Sequence, residues 1–154
     1  MIISNTQLTL VLVDVDADGR IRVENVHVTD FGVTHWWPRF NPRTGQATRI
    51  PGTQYYNAPE VLEAGYAGLS TASDIWAIGC MGYKLFTGVR LFDTVEMIEA
   101  YARTNRVDAA RLRLVQQDAD VTRILSGCLT INPRERWSVW NLLDQLQRVR
   151  QRFM

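Results

Sequence analysis

The chain has 154 residues, of which 46% are apolar and 21% charged, and its formal net charge is +1. This composition is typical of a globular protein with one domain or part of one, and it excludes a strong electrostatic attraction to nucleic acid or anionic lipid. The N-terminal residues lack the charge and cleavage site of a signal peptide, and the apolar run 8–13 is too short to span a membrane. We therefore expect an intracellular, cytoplasmic protein with no nucleic-acid or membrane partner.

Two stretches rich in Val, Ile and Leu, residues 8–14 and 21–28, flank an Asp-Gly pair and predict a β-hairpin over residues 8–28. The stretch between them also resembles a calcium-binding loop, because acidic residues alternate before a glycine: Asp14, Asp16, Asp18 and Gly19. Such a loop requires flanking helices and a bidentate Glu at its twelfth position, which is Asn25 here. The hairpin is the better supported of the two alternatives.

Residues 33–51 are polar and rich in arginine, which predicts a long loop, and loops of this length are usually functional or mobile. Helical patterns follow it. Residues 74–86 are apolar on nearly every face, which predicts a buried central helix. Asp93 and Glu96 predict a capping box at the start of the next helix, over residues 94–103.

Apolar residues at helical spacing predict two more helices. The first carries Val121, Ile124, Leu125, Cys128 and Leu129, and the second carries Val139, Leu142, Leu143, Leu146 and Val149. Ser138 is the expected cap of the second helix. Cys80 and Cys128 both fall inside helical patterns, so we expect buried free thiols rather than a disulfide or a metal site.

Five short motifs occur in one order along the chain. They are Asp30-Phe31-Gly32, then Gly52-Thr53-Gln54-Tyr55-Tyr56-Asn57-Ala58-Pro59-Glu60, Ser73-Asp74-Ile75-Trp76-Ala77-Ile78-Gly79, Leu85-Phe86-Thr87-Gly88, and Cys128-Leu129 with Asn132-Pro133-Arg134-Glu135-Arg136. In this order they resemble the protein kinase family from its D-F-G motif onward. The resemblance implies a partial kinase domain over residues 1–154 that is mainly α. It would be a protein-kinase-like C-lobe fragment with one β-hairpin (8–28), an activation segment (30–60) and a helical subdomain (73–152) of about four to five helices.

The resemblance also implies roles for single residues. Asp30 would hold the Mg²⁺ that accompanies ATP, Glu60 would form a buried ion pair with Arg136, and Asp74 would brace the backbone of the catalytic loop. The activation segment would include Asp30, Phe31, Gly32, Thr53, Tyr56, Ala58, Pro59 and Glu60. Its candidate phosphorylation sites are Thr34, Thr44 and Thr48, where a phosphate would pair with Arg and order the loop, and the alternative is that they are ordinary loop threonines. Gly79 and Trp76 would be structural, and core packing is the alternative to a substrate role for Trp76 and Tyr56.

Most catalytic parts of a kinase do not occur in this sequence. It contains no G-x-G-x-x-G and no H-R-D, and its one lysine, Lys84, falls in the central helix rather than in a strand. Asn5 lies further upstream of Asp30 than the metal-binding Asn of the family. We therefore expect that this chain alone has no catalytic base, binds neither ATP nor Mg²⁺ tightly, and transfers no phosphate.

Two alternatives follow. The chain is either the C-terminal part of a serine/threonine kinase domain, with the missing kinase half and a protein substrate as its partners, or a pseudokinase-type binding module that regulates another kinase. Gly52-Thr53 favours the Ser/Thr class. In both cases the helix that precedes the catalytic loop has no counterpart in residues 1–7, so we expect one apolar face within residues 75–86 to lack its cover.

Overall fold

The computed structural model describes residues 53–106, 111 and 114–151, together with the backbone of two strands and Asp18 in the turn between them. Strands β1 (Val11–Val15) and β2 (Ile21–Val28) pair antiparallel, with a register shift between Leu12 and Asp14. The hairpin predicted around the Asp-Gly pair is therefore present, while residues 8–10 lie outside the described residues. Because strands flank the acidic stretch, it does not fit a calcium loop, which requires helices there.

Five α-helices follow in the described part of the chain, which is mainly helical as predicted. They are α1 (Pro59–Ala64), α2 (Thr71–Thr87), α3 (Val95–Thr104), α4 (Ala119–Cys128) and α5 (Val139–Gln151). Two short 3₁₀ helices, Gln54–Tyr56 and Gly65–Gly68, precede and follow α1. None of the helices described here is both long and apolar enough to cross a membrane.

Helix α2 is the central element, and both of its ends are set by local hydrogen bonds. At its start, the hydroxyl of Ser73 donates to the carbonyl oxygen of Ser70 at 2.6 Å and accepts from the backbone N–H of Ser70 at 3.0 Å. At its end, Gly88 adopts the left-handed conformation, with φ of 79°, and its N–H donates to the carbonyl oxygen of Lys84. Glycine tolerates this conformation without strain, which explains why the helix ends there.

The core lies on the side of α2 that faces α3 and α4. Trp76, Cys80 and Tyr83 are buried there, and Ile98 of α3 and Leu125 of α4 pack against the same cluster. A second, smaller cluster joins Ile75 of α2 to Cys128 of α4 and Leu142 of α5. The thiols Cys80 and Cys128 are buried and free, as predicted.

The caps of the later helices follow the predictions in part. The capping box at Asp93 is wrong: Thr94 caps α3, and its hydroxyl accepts from the N–H of Met97 at 3.3 Å. Asp93 instead pairs with the side chain of Arg111. Ser138 does cap α5, because its hydroxyl accepts from the N–H of Asn141 at 3.3 Å.

Other apolar side chains of α2 are exposed to solvent, although its pattern predicts burial on every face. The exposed fraction is 83% for Leu85, 49% for Phe86 and 36% for Ile78. The uncovered face expected within residues 75–86 is therefore present.

Helix α5 also departs from its pattern: Leu142 is buried, but Gln145 is the next buried residue, and Val139, Leu143 and Leu146 are exposed.

Candidate functional site

One ion pair connects Glu60 in α1 to Arg136 in the segment before α5. Arg136 donates from Nη1 to Oε1 of Glu60 at 2.6 Å and from Nη2 to Oε2 at 3.0 Å. The Arg136 side chain is fully buried, while that of Glu60 is 17% exposed. Two parallel bonds between a guanidinium and a carboxylate are the strongest common form of such a pair. The bidentate pair expected from the resemblance is present.

Three backbone carbonyl groups complete the surroundings of Arg136. Its Nε donates to Thr130 at 2.8 Å, its Nη1 to Ala72 at 2.9 Å and its Nη2 to Ile131 at 3.0 Å. Together with the two bonds to Glu60, these use all five N–H groups of the guanidinium. A buried charge is tolerated when it is paired and fully hydrogen-bonded. This arginine therefore connects Glu60 to two backbone segments, one at Ala72 and one at Thr130 and Ile131.

The same guanidinium lies 5.1 Å above the ring of Trp76, within the range of a cation–π interaction. The Trp76 ring also stacks on the ring of Phe92, with the two centroids 5.8 Å apart. The centroid of the Tyr101 ring lies 5.9 Å from that of Trp76. In the described residues, the indole Nε1 has no hydrogen-bond acceptor. Trp76 is thus fully buried among aromatic and cationic neighbours, and its role, structural or toward substrate, stays a prediction.

Gly79 lets α4 approach α2 closely. A Cβ atom at this position would lie 2.7 Å from the Cβ of Cys128, a distance at which the neighbouring helix must shift.

Burial raises the pKa of the Cys128 thiol to about 11, although the positive charge of Arg136 acts in the opposite direction. The thiol of Cys80 is likewise protonated, because burial raises its pKa. Neither thiol is a nucleophile at neutral pH.

The segment from Thr53 to Pro59 leads into α1. Thr53 directly precedes the first 3₁₀ helix, and its carbonyl oxygen accepts from the N–H of Tyr56 at 3.2 Å. Tyr56 packs against the core, Ala58 is fully buried, and Pro59 is the first residue of α1, where its missing N–H is not needed. This segment is therefore held in place on the helical core by burial at one end and by the Glu60 pair at the other.

A contact that the sequence analysis did not predict lies beside this segment. The guanidinium of Arg90 is 5.1 Å above the ring of Tyr55. Arg111 donates to the carbonyl oxygen of Arg90 and to the carboxylate of Asp93, and the hydroxyl of Tyr83 donates to the carbonyl oxygen of Arg111 at 2.9 Å. Arg90 and Arg111 are separated by 21 residues, so no local pattern signals that they meet.

The remaining predicted site residues are placed only in part. Asp74 lies in the first turn of α2 and is half-buried, and its role toward a catalytic loop stays a prediction. Six predicted residues lie outside the described residues: Asp30, Phe31, Gly32, Thr34, Thr44 and Thr48. Their roles in metal binding and phosphorylation therefore stay predictions as well.

Comparison with known proteins agrees with this arrangement. The family model of the protein kinase domain matches residues 11–146. The chain belongs to the protein kinase family. The match begins in the hairpin and ends in α5, so it includes both Glu60 and Arg136.

Several curated kinases are similar to the chain, two of them over most of its length. Mouse serine/threonine-protein kinase Nek9 is 28% identical over 131 residues, which is 84% of the chain and 13% of Nek9. The serine/threonine-protein kinase KIC1 of Saccharomyces cerevisiae is 30% identical over 119 residues, which is 77% of the chain and 11% of KIC1. The probable dual specificity protein kinase madd-3 of Caenorhabditis elegans is 49% identical over 59 residues, 38% of the chain and 6% of that protein. The chain thus spans only a small part of each of these relatives.

Proposed function

We propose that these residues form the C-terminal part of a serine/threonine protein kinase domain, which transfers a phosphoryl group from Mg-ATP to a Ser or Thr hydroxyl of a protein. The observation that carries the proposal is the bidentate pair of Glu60 and Arg136, which ties the end of the activation segment to the late helices. The relatives whose printed names are serine/threonine-protein kinases support the class of substrate.

The residues present account for the positioning of substrate rather than for the chemistry. In the complete enzyme, Asp30 would hold Mg²⁺, which neutralises the charge on the transferred phosphoryl group. The segment from Thr53 to Tyr56 would position the protein substrate, since it is fixed on the helical core beside the Glu60 pair. The sequence has no candidate for the base that accepts the hydroxyl proton, and none for the lysine or the glycine loop that hold ATP.

These 154 residues by themselves should therefore transfer no phosphate, because an enzyme without most of its positioning groups loses many powers of ten in rate. The test incubates the purified chain with Mg-ATP and a generic basic protein, with the Asp30→Ala variant as its control. Transfer above that control would contradict the expected inactivity.

A fusion tests the proposed activity directly. The segment that precedes the corresponding hairpin in a relative such as mouse Nek9 is joined to this chain before Leu8. We expect transfer to Ser or Thr that Asp30→Ala abolishes, with Arg134→Ala, at an exposed position, as a folded comparison that retains Asp30. A folded fusion that binds Mg-ATP and transfers nothing would contradict the proposed activity.

The second candidate is a binding module that resembles a kinase C-lobe and regulates another kinase. The observation that favours it is the exposed apolar surface of α2, where Leu85 is 83% exposed, because exposed apolar surface on a folded protein often marks a site of protein contact. The genomic sequence upstream of Met1 separates the two candidates. An in-frame H-R-D and a strand lysine there would favour the kinase, and a stop codon with no such motifs would favour the binding module.

A further inference from the structure

An open groove lies at the C-terminal end of α2. Among the described residues, its walls carry three cationic side chains, Lys84, Arg90 and Arg111, and one carboxylate, that of Asp93. The groove has a volume of about 760 Å³ and opens to solvent, so its shape suits an extended segment of chain better than an enclosed small molecule.

One wall of the groove is fixed by hydrogen bonds. The hydroxyl of Tyr83, a residue only 1% exposed, donates to the carbonyl oxygen of Arg111 and so holds that backbone against α2. The guanidinium of Arg111 donates to the carboxylate of Asp93 and to the carbonyl oxygen of Arg90. Arg111 is therefore already paired, and it connects the two edges of the groove rather than offering a free charge.

The two other cations remain accessible. Lys84 and Arg90 are exposed, and neither forms an ion pair with a described residue. Two apolar side chains stand beside them, Val89 at 46% and Leu114 at 49% exposure. The surface therefore offers two positive charges to acidic groups, with apolar contact next to them.

Arg90 also connects the groove to the segment that would position the substrate. Its guanidinium lies over the ring of Tyr55, two residues after Thr53. We propose that this groove binds an acidic segment of the protein substrate, with Lys84 and Arg90 as the residues that select its Asp and Glu side chains. This inference rests on the proposed function, and it makes the chain selective for substrates with acidic residues away from the phosphorylated hydroxyl.

The test measures peptide binding to the full chain by fluorescence anisotropy, so that it does not depend on catalysis. The probes are a labelled peptide rich in Glu, a counterpart in which Gln replaces every Glu, and a counterpart with phosphoserine at the same positions. We expect the Glu peptide to bind more tightly than the Gln peptide and to be weakened by salt, because exposed charges are screened. Binding of the phosphoserine peptide alone, with no preference for the Glu peptide over the Gln peptide, would overturn the assignment to Asp and Glu side chains.

Matched variants distinguish an effect of charges in the groove from an effect of the net charge of the chain. Lys84→Glu with Arg90→Glu should weaken binding of the Glu peptide by about tenfold or more, as reversal of steering charges does. Arg123→Glu, at an exposed position of α4 outside the groove, should change it by less than about threefold. Circular dichroism establishes that each variant is folded. Equal binding of the Glu and Gln peptides, or equal weakening by Arg123→Glu, would overturn the groove assignment.

The outcome is independent of the proposed activity. Charge-selective binding in the full chain, combined with an inactive fusion, would retain the acidic-peptide groove and overturn the kinase proposal. An active fusion with no preference for acidic peptides and no response to Lys84→Glu would retain the kinase proposal and overturn the acidic-peptide groove.

Discussion

The two sides of α2 have similar apolar residues and very different surroundings. On one side, Trp76, Cys80 and Tyr83 are at most 2% exposed and contact α3, α4 and the loops around them. On the other side, Leu85 and Phe86 are 83% and 49% exposed. The covered side is where Arg136 and Trp76 join the segments of the candidate site.

The difference shows that hydropathy sets which residues can be buried, while the neighbouring elements decide which ones are. An all-apolar helix is usually buried on every face, and here only part of its surface has a partner in the described residues. The exposed part includes the neighbouring side chains of Leu85 and Phe86, and contiguous exposed apolar side chains on a folded protein often mark a contact surface.

The largest expected effect comes from Arg136→Ala on the covered side. The substitution strands the carboxylate of Glu60 and three carbonyl groups, so we expect a loss of about 3–5 kcal/mol in the free energy of unfolding. Arg134→Ala is the matched control, because that arginine is exposed, and it should change stability by less than about 0.5 kcal/mol. Urea titration measures both. Equal free energies of unfolding for the Arg136→Ala variant and the parent would contradict the role of the pair.

Two isoleucines of α2 test the comparison with one residue type. Ile75 is 3% exposed and packs against Cys128 and Leu142, whereas Ile78 is 36% exposed. We expect Ile75→Ala to cost about 2–5 kcal/mol through the cavity it leaves. Ile78→Ala should cost less than about 1 kcal/mol, because little buried contact is lost and alanine favours the helix. Similar losses at both positions, measured by chemical denaturation, would mean that Ile78 is covered in solution.

Two glycines of α2 provide a second matched pair. A Cβ at Gly79 would lie 2.7 Å from Cys128, while at Gly82 the nearest side-chain atom is 3.9 Å away. Gly79→Ala should therefore destabilise by about 1–3 kcal/mol through overpacking. Gly82→Ala should be neutral or stabilise by up to about 1 kcal/mol through helix propensity. A Gly79→Ala variant that melts at or above the parent temperature would be inconsistent with this packing of α4.

A smaller effect is expected from pH. Burial raises the pKa of the Cys128 thiol from its ordinary value of 9.0 to about 11, so the folded state keeps a proton that the unfolded state loses. The free energy of unfolding should be unaffected below pH 9 and should fall as pH rises from 9 toward 11, by at most about 1.4 kcal/mol per pH unit for one thiol. Stability measured across this range should fall less steeply in Cys128→Ala. An equal slope in parent and variant would exclude the thiol as the cause.

The sequence predicted the features that motifs carry, and it missed the contacts between residues that no motif links. The pair of Glu60 and Arg136 followed from the resemblance to kinases, but the carbonyl acceptors around Arg136 did not, because the fold supplies them from two separate segments, one at Ala72 and one at Thr130 and Ile131. Asp93 and Thr94 are both good caps, and the pairing of Asp93 with Arg111, 18 residues away, leaves Thr94 as the cap of α3.

The last helix shows the same limit for packing. Its apolar residues recur at helical spacing, yet Leu142 and Gln145 are buried while Leu143 and Leu146 are exposed. Periodicity gives the width of an apolar stripe, and the angle at which α5 meets α4 decides which edge of that stripe is covered. The groove beside Arg90 is a similar case, since Arg111 and Leu114 come from a segment separate from the lining residues between 84 and 93.

The uncovered side of α2 is tested most directly by sedimentation velocity together with binding of a hydrophobic dye. We compare the parent chain with a variant that carries Leu85→Gln and Phe86→Gln, both at exposed positions. The account predicts that the parent self-associates and binds the dye, and that the variant does both less while its unfolding free energy changes by less than about 0.5 kcal/mol per substitution. A parent that is a monodisperse monomer with a sharp cooperative melt and no affinity for the dye would contradict it.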